Sequence, residues 1–554
     1  MKTLRIVGLA LAVPGGIAGG LTGGAEAADV TLKKVPVNCQ APDAPYRDYS
    51  CLDPYLGNSF FERFVNYYKL EWGHASAPAD PNALPSRQAG WPDAAAAIPP
   101  FPFSEWPYGG ATSLGVTRPS SVDSPLMAAL ANTSFGNALN DNHMQIYGWI
   151  NGGGNISTNT TRPGGNFPAA YDYTPNTIQL DQAVIYFERL PDTVQKDHMD
   201  WGFRLSAIYG ENYRYTTSYG LASDQLLGHN LNNGYDFPMI YGELYVPQIL
   251  DGMLIRAGRF ISVPDIEAQL APNNYMYSHS MTYTYDNYTN TGIQTTTAIN
   301  KNWMFQLGVT VGTEAPLWHW GSTVPNPFPN PIFPGTTMPQ DPGAQPSLTA
   351  GIKWTSNSGW DSVYVVADGI NNGTWGYNNL QWKGVTWYHR FDDKWHLSWE
   401  FYELDQRNVP NGLNSEVQNI AAMGGLPFTP FQGVKFNAPN LAQCGNAAVL
   451  TCTARVFATV AYLNYQFSPL DNISFRPEFF DDEEGQRTGV KTRYVDFGIG
   501  WQHWLSPQIE IRPEVTYYQS LDGPAFNGNF NASPVIVPTK KSATIAAADL
   551  IVHF

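Results

Sequence analysis

In several stretches of the chain, apolar residues recur at every second position. One runs from Trp303 to Val311, one from Trp395 to Phe401 and one from Ile509 to Val515. Because successive side chains of a β-strand point to opposite faces, this period of two predicts strands whose faces meet different surroundings. A transmembrane β-barrel and a soluble β-sandwich both produce this pattern, so alternation alone does not choose between them.

The spacing of the strand-like segments separates these two folds. The sixteen predicted segments are roughly residues 144–155, 178–190, 199–210, 238–247, 252–262, 290–300, 302–313, 346–356, 359–370, 380–391, 394–405, 453–467, 470–481, 489–503, 507–519 and 541–554. Connections after even-numbered segments are short, whereas most of those after odd-numbered segments are long, including 211–237, 263–289, 314–345 and 406–452. This parity places all tight turns at one rim, which is typical of outer-membrane barrels with short periplasmic turns and long extracellular loops. The prediction is an all-β fold, a transmembrane antiparallel β-barrel of about 16 strands, within a range of roughly 14 to 18.

The last segment has the features of a closing strand. Apolar residues alternate through 541–554, and the segment ends on Phe554. In a closed barrel the final strand pairs with the first, so that no edge is left unpaired in lipid. We therefore expect this pairing, and we interpret Phe554 as a C-terminal signal for the barrel-assembly machinery.

The N-terminal region divides into two parts. Lys2 and Arg5 precede an apolar run and the small-residue site Ala25-Glu26-Ala27, which predicts a cleaved signal peptide over 1–27. Residues 28–142 are rich in Pro, Gly and Ala and contain FFERFVNYYKLEW, a candidate amphipathic helix. Two interpretations remain open for this segment, an irregular periplasmic segment and a plug that enters the barrel. The barrel itself is predicted to occupy 143–554.

Composition agrees with a membrane wall. Charged residues make up 14% of the chain, against about 25% in an average soluble domain. Aromatic residues also make up 14%, and Trp303, Trp395, Trp501 and Trp504 lie near predicted strand ends, where a membrane interface places an aromatic girdle. The net charge of −16 excludes a nucleic-acid partner, because such a partner requires a basic surface.

The four cysteines form two local pairs, Cys39 with Cys51 and Cys444 with Cys452. Disulfides are expected in an oxidising export compartment. Metal ligation is the weaker alternative, because no C-x-x-C motif or histidine cluster accompanies the cysteines.

Motifs for catalysis are missing from the sequence. The chain has no G-x-S-x-G, H-E-x-x-H or P-loop, and His279-Ser280 is the only pair that suggests a nucleophile. Neighbouring residues of an extended chain face opposite sides, which argues against a catalytic dyad there. The acidic run 481–484 is interpreted as a solvated loop rather than a calcium site. No enzyme activity, cofactor or metal is therefore expected.

A short repeat carries charges into the predicted lumen. Ile473–Glu478 recurs as Ile509–Glu514, with Arg and Glu facing inward and both prolines facing outward. The third long loop, after the fifth strand, is expected to fold inward and narrow the pore. The alternative is that the arginines only pair with lumenal glutamates. The candidate pore-lining residues are Arg204, Glu243, Arg256, Asp265, Glu267, Arg476, Glu478, Glu510, Arg512 and Glu514.

Two stretches resemble a known family. DQAVIYFERLPDTVQKDHMDWGFRLSAIYGENYRYTTSYG and MLIRAGRFISVPDIEAQLAPNNYMYSHSMTYTYDNYTNTGI, with Phe554, are similar to the putative β-barrel porin-2 family of Gram-negative outer-membrane proteins, over roughly 140–554. The resemblance implies a porin without a defined substrate.

The strand count leads to the same expectation, because barrels of about 16 to 18 strands leave a water-filled channel. We expect passive diffusion of small hydrophilic solutes through the outer membrane of a Gram-negative bacterium. The alternative is a surface receptor or adhesin whose lumen is sealed by the N-terminal segment. The expected partners are outer-membrane lipid, the assembly machinery, the solutes and further copies of the chain, a trimer by analogy with general porins.

Overall fold

A computed structural model describes most of the chain after the N-terminal region. The described residues are 53–75, 114, 124–160, 165–169, 171–217, 221–227, 229, 231–261, 265–313, 322–325, 337–341, 346–372, 380–422, 441–468, 470–506, 508–528 and 537–554. The predicted signal peptide and the Cys39–Cys51 pair lie outside these residues.

Sixteen antiparallel strands form a closed barrel. They are β1 Met144–Ser157, β2 Ile178–Arg189, β3 Asp200–Gly210, β4 in two pieces (Gly234–Asp236 and Ile240–Val246), β5 Met253–Ile261, β6 Thr289–Asn300, β7 Trp303–Thr313, β8 Ser347–Thr355, β9 Asp361–Ile370, β10 Gln381–Arg390, β11 Trp395–Pro410, β12 Thr451–Ser468, β13 Asp471–Asp482, β14 Thr492–Ser506, β15 Ile509–Ser520 and β16 Ser542–His553. Each strand pairs with its neighbours in the chain, and β16 closes the barrel on β1 with Trp149 opposite His553. The predicted barrel and its closing strand are confirmed.

The observed strands differ from the prediction mainly at two places. β4 is interrupted around Pro238, which has no N–H to donate to the ladder. β11 and β12 pair further than expected, to Pro410 and Thr451, past a register shift between Gln406 and Val409. A separate hairpin, Ser322–Pro325 with Thr337–Asp341, lies in the loop between β7 and β8.

Apolar side chains lie on the outer face of the wall and polar side chains on the inner face, which is the reverse of a soluble protein. Leu307 and Val309 on β7 point outward and are 43% and 59% exposed, whereas Thr310 is buried at 2%. Val515 on β15 is exposed, and its neighbour Thr516 is buried. Apolar side chains on the outside and polar ones inside are what a barrel in lipid requires. The register predicted from alternation is confirmed.

Three of the four predicted girdle tryptophans lie on the outer face near strand ends. Trp303, Trp395 and Trp501 are each about two-fifths exposed. The prediction for Trp504 is wrong, because this side chain is buried inside the barrel and stacks on His553.

Four helices lie in the described residues that precede the barrel. They are α1 Asp53–Leu56, α2 Phe60–Ala75, α3 Pro125–Leu130 and α4 Ser134–Asp141. The predicted amphipathic helix corresponds to α2. The helices pack against the rim where β1 begins, since Arg63 Nε donates to the Ala128 carbonyl and Ser124 Oγ to the Ile146 carbonyl. No helix among the described residues is long and apolar enough to cross a membrane.

The described parts of the loops contain short helices. The helices are α5 Asp224–Leu227, α6 Met281–Thr284 and α7 Ser415–Ala422, with 3-10 turns at Glu211–Tyr215 and Ala271–Asn273. Cys444, in the connection from β11 to β12, forms a disulfide with Cys452 near the start of β12.

Candidate functional site

Loop 3, the connection from β5 to β6 with described residues 265–288, lies inside the barrel. Every residue from 265 to 290 is buried. The Ile266 N–H donates to Glu400 on β11 at 3.1 Å. On a different part of the wall, Gln182 Nε2 on β2 donates to the Gln269 carbonyl at 2.8 Å. Loop 3 therefore crosses the lumen, as the sequence predicted for the third long loop.

The repeated Arg-Pro-Glu motif holds this loop in place. On β13, Arg476 donates to the Ser278 carbonyl at 2.8 Å. Two residues on, the Glu478 carboxylate accepts hydrogen bonds from the backbone N–H groups of Met281 and Thr282. One guanidinium and one carboxylate thus satisfy opposite backbone groups of the same turn.

The second copy of the motif, on β15, does the same for neighbouring residues of loop 3. Arg512 Nη1 donates to the carbonyl oxygens of Ala271 and Asn274, the latter at 3.0 Å. Glu514 accepts from the N–H and the hydroxyl of Ser278. The two copies of the repeat, on β13 and β15, therefore form a docking surface for loop 3.

The structure also pairs the lumenal arginines with carboxylates of the wall. Arg256 contacts Glu243 at 2.8 Å, and both residues are among the predicted pore-lining residues. Arg204 contacts Glu188 at 2.7 Å. These charge pairs are buried, where charge-assisted hydrogen bonds are strong.

Two further contacts in the lumen were not predicted from the sequence. Arg512 pairs with Asp549 at 2.5 Å, and Glu510 accepts from Gln502 at 2.8 Å. The predicted pore-lining residues are all inside the barrel, and none is more than 5% exposed: Arg204, Glu243, Arg256, Asp265, Glu267, Arg476, Glu478, Glu510, Arg512 and Glu514.

Arg259 departs from the alternation on β5, as its position in the sequence indicates. Gly258, the residue before it, has a φ of +137°, which glycine tolerates because it has no Cβ. Arg259 turns inward and pairs with Asp236 at 3.0 Å. The strand continues to Ile261, so the irregularity lies within it rather than at its end.

Loop 3 brings carboxyl groups into the interior. Glu267 accepts from the Ser280 N–H at 2.9 Å and from the Tyr462 hydroxyl at 2.7 Å. Burial raises the pKa of Glu267, and the nearby Arg476 opposes this shift. Burial raises the pKa of Asp265 well above its usual range, and the adjacent Asp286 carboxylate raises it further.

The His279-Ser280 pair serves the packing of loop 3. The His279 ring lies 3.6 Å from the Tyr171 ring, measured between centroids, and its Nε2 is 2.7 Å from the Ala268 carbonyl oxygen. Ser280 Oγ donates to Glu267. Burial lowers the pKa of His279 to about 3, so the ring is neutral.

Other loops also fold inward, although the sequence did not predict it. Tyr171 and Tyr215 stack at 4.1 Å between centroids, and the Tyr171 N–H donates to the Tyr215 hydroxyl. Arg487, from the loop after β13, donates to the Tyr285 carbonyl at 2.8 Å. The tyrosine-rich runs YDYT and YRYTT of these loops are the sequence signal that could have indicated their burial.

A closed barrel with an apolar outer face and an inward loop defines the class of outer-membrane channel proteins. The family model described as Putative beta-barrel porin-2, OmpL-like, matches residues 143–554, and the chain belongs to this family. The protein is an outer-membrane porin, a channel for passive diffusion of small hydrophilic solutes. Family and fold describe a channel rather than an enzyme.

Solved porin structures match the chain at low sequence identity. The anion-selective porin from Comamonas acidovorans is 9% identical with a TM-score of 0.43, covering 74% of this chain and 99% of that one. The outer-membrane channel DcaP of Acinetobacter baumannii is 9% identical with a TM-score of 0.41, covering 74% and 97%. OmpT of Vibrio cholerae, in its trimer form, is 8% identical with a TM-score of 0.39, covering 74% and 99%. Among curated proteins, none matches this chain.

Proposed function

We propose that loop 3 forms the constriction of this porin and sets its ion preference. The observation that carries the proposal is the burial of every residue from 265 to 290 within the barrel. A narrow, low-dielectric passage strengthens the field of the charges beside it. Carboxylates outnumber cationic side chains among the described residues of loop 3, so the preference is for cations.

The test is a double substitution, Asp265→Asn with Glu267→Gln, in planar bilayers. Removing both carboxylates is expected to change single-channel conductance and to shift the reversal potential toward anions. Asp522→Asn, at a carboxylate of the loop after β15 that pairs with Arg493, is the control and leaves both quantities unchanged. Unchanged conductance and selectivity in a folded double variant would place loop 3 outside the permeation path.

The N-terminal segment 28–142 supports a second proposal, that it acts as a plug at the periplasmic mouth. Leu114 is 4% exposed and packs against Tyr245, Leu254 and Ala298 inside the barrel. Helix α2 reaches another part of the rim, where the Tyr68 hydroxyl donates to the His553 carbonyl at 2.5 Å. Contacts at two places along the rim favour a segment that narrows the opening.

The alternative function is a surface receptor or adhesin, in which the N-terminal segment would seal the lumen completely. A sealed barrel gives no stable open steps in a planar bilayer, whereas a constricted porin gives small, regular steps. We propose outer-membrane lipid as the partner of the apolar outer face, the assembly machinery as the partner during insertion, and a trimer by analogy with general porins. Crosslinking in native outer membranes followed by mass measurement tests the trimer.

A further inference from the structure

Three carboxylates from distant parts of the chain meet inside the barrel. Asp265 stands at the start of the described part of loop 3, Asp286 stands near its end, and Glu400 projects from β11. One carboxylate oxygen of each lies within 4.8 Å of the other two. The three side chains are buried, with Asp286 and Glu400 each 1% exposed.

The hydrogen bonds around the cluster leave two of these oxygens unused. The Asn287 N–H donates to one oxygen of Asp286, and the Ile266 N–H donates to one oxygen of Glu400. The second oxygens, Asp286 Oδ2 and Glu400 Oε1, are buried, and no amide, hydroxyl or guanidinium group in the described part of the chain donates to them; their polar neighbour is the Asp265 carboxyl group. A buried acceptor without a partner is costly and calls for an explanation such as a missing ion.

The charges of the cluster also indicate a bound cation. When the three carboxyl groups are ionised, their charges repel strongly at this spacing because water is excluded. The guanidinium of Arg487 lies nearby, but its hydrogen bonds go to the backbone carbonyls of Tyr285 and Asp286. A cation placed among the three carboxylates would satisfy both the unused oxygens and the charge.

We propose that Asp265, Asp286 and Glu400 bind a calcium ion. Each Ca–O bond is about 2.3–2.6 Å, so ligand oxygens on opposite sides of the ion are about 5 Å apart. The observed separations therefore allow one ion to contact all three carboxylates. Mg²⁺ bonds are shorter, about 2.0–2.1 Å, and demand a near-ideal octahedron, which fits this set less well.

The ion has a defined structural role. Asp265 and Asp286 flank the described length of loop 3, and Glu400 belongs to the wall. One calcium ion would thus join both ends of the loop to β11 and hold the loop across the lumen. The site requires only the positions of these side chains and does not depend on which solutes pass.

The test is calcium binding by the folded, full-length protein in detergent. After treatment with a chelator, the protein is dialysed against radioactive Ca²⁺, with heat-modifiable gel mobility as the check of folding. The wild type is expected to bind one ion per chain, and a tenfold excess of Mg²⁺ is expected to leave it bound. Absence of bound calcium, or its complete displacement by Mg²⁺, would overturn the assignment.

Variants assign the ion to this cluster. Asp286→Asn combined with Glu400→Gln is expected to weaken binding at least tenfold, whereas Glu416→Gln, at an exposed position of α7, is expected to leave it unchanged. Undiminished binding in the double variant would refute the site. If the double variant does not fold, Asp265→Asn alone provides the same comparison. Because binding is measured rather than conductance, failure here is distinguishable from failure of the constriction proposal.

Discussion

At the scale of single residues, the effect of a substitution depends on the face of the wall to which the side chain belongs. Apolar side chains are exposed on the outer face, and polar side chains are buried on the inner face. Val515 on β15 is 51% exposed on the outer face, near the middle of its strand. Leu521, just beyond the end of β15, is 43% exposed. Both positions therefore carry an exposed aliphatic side chain, but they lie at different depths in the membrane.

Val515→Arg is expected to cost about 2–4 kcal/mol of folding free energy, because an arginine on the lipid face near the midplane must be desolvated. Leu521→Arg, nearer the interface, is expected to cost about 0–1 kcal/mol. Urea unfolding in lipid vesicles, followed by tryptophan fluorescence, measures both values. Equal costs at the two positions would contradict the assigned depth.

His279 predicts a dependence of stability on pH. Burial lowers its pKa in the folded state to about 3, below the ordinary value of 6.5. The unfolded chain therefore binds more protons between these values, and stability that is present above pH 6.5 is lost as the pH falls toward 3. The loss from this group is at most about 1.4 kcal/mol per pH unit.

His279→Gln removes this contribution, so its unfolding free energy is expected to fall less steeply between pH 6.5 and pH 4 than that of the wild type. Urea unfolding at several pH values gives both slopes. Parallel slopes for the two proteins would show that the ring is not buried in its neutral form.

At the scale of elements, the stability of loop 3 rests on charged side chains of the wall. Glu514 accepts two hydrogen bonds from Ser278, whereas Glu510, on the same strand and face, contacts Gln502 instead. The two glutamates differ in whether they hold the loop, and so form a matched pair for experiment.

Glu514→Gln is expected to loosen loop 3, since hydrogen bonds to a charged group contribute about 1.5–3 kcal/mol. Single-channel recordings are expected to show larger and more variable conductance in this variant, while Glu510→Gln keeps the wild-type conductance. The same conductance in both variants, with folded barrels, would mean that the repeat does not control the loop.

At the scale of the whole molecule, the N-terminal segment and the barrel act on the same opening. Leu114 packs into the periplasmic end of the lumen, while Leu413, in the loop after β11, is 50% exposed. Leu114→Asn places a polar group among apolar partners, which weakens the contact.

If the segment narrows the mouth, Leu114→Asn raises the mean conductance, and Leu413→Asn does not. Planar-bilayer recordings of the three proteins at one salt concentration provide the measurement. A conductance unchanged by Leu114→Asn would assign the segment to the periplasm outside the permeation path.

The sequence alone was sufficient to predict the wall of the barrel. Alternation, as from Trp303 to Val311, depends only on the two-residue period of a strand between lipid and polar surroundings, and the parity of the connections is local as well. The position of Leu307 outside and Thr310 inside followed from these local rules. Trp504 was misassigned because an aromatic near a strand end can serve either face.

Only the tertiary structure decided what fills the barrel. The meeting of Asp265, Asp286 and Glu400, and the docking of Ser278 on Glu514, join residues more than a hundred positions apart in several cases. Such contacts depend on how a long loop crosses a closed space, and no periodicity in the chain records that path. Alternation therefore determined the wall of this porin, whereas the packing of its loops determined the arrangement of charges within.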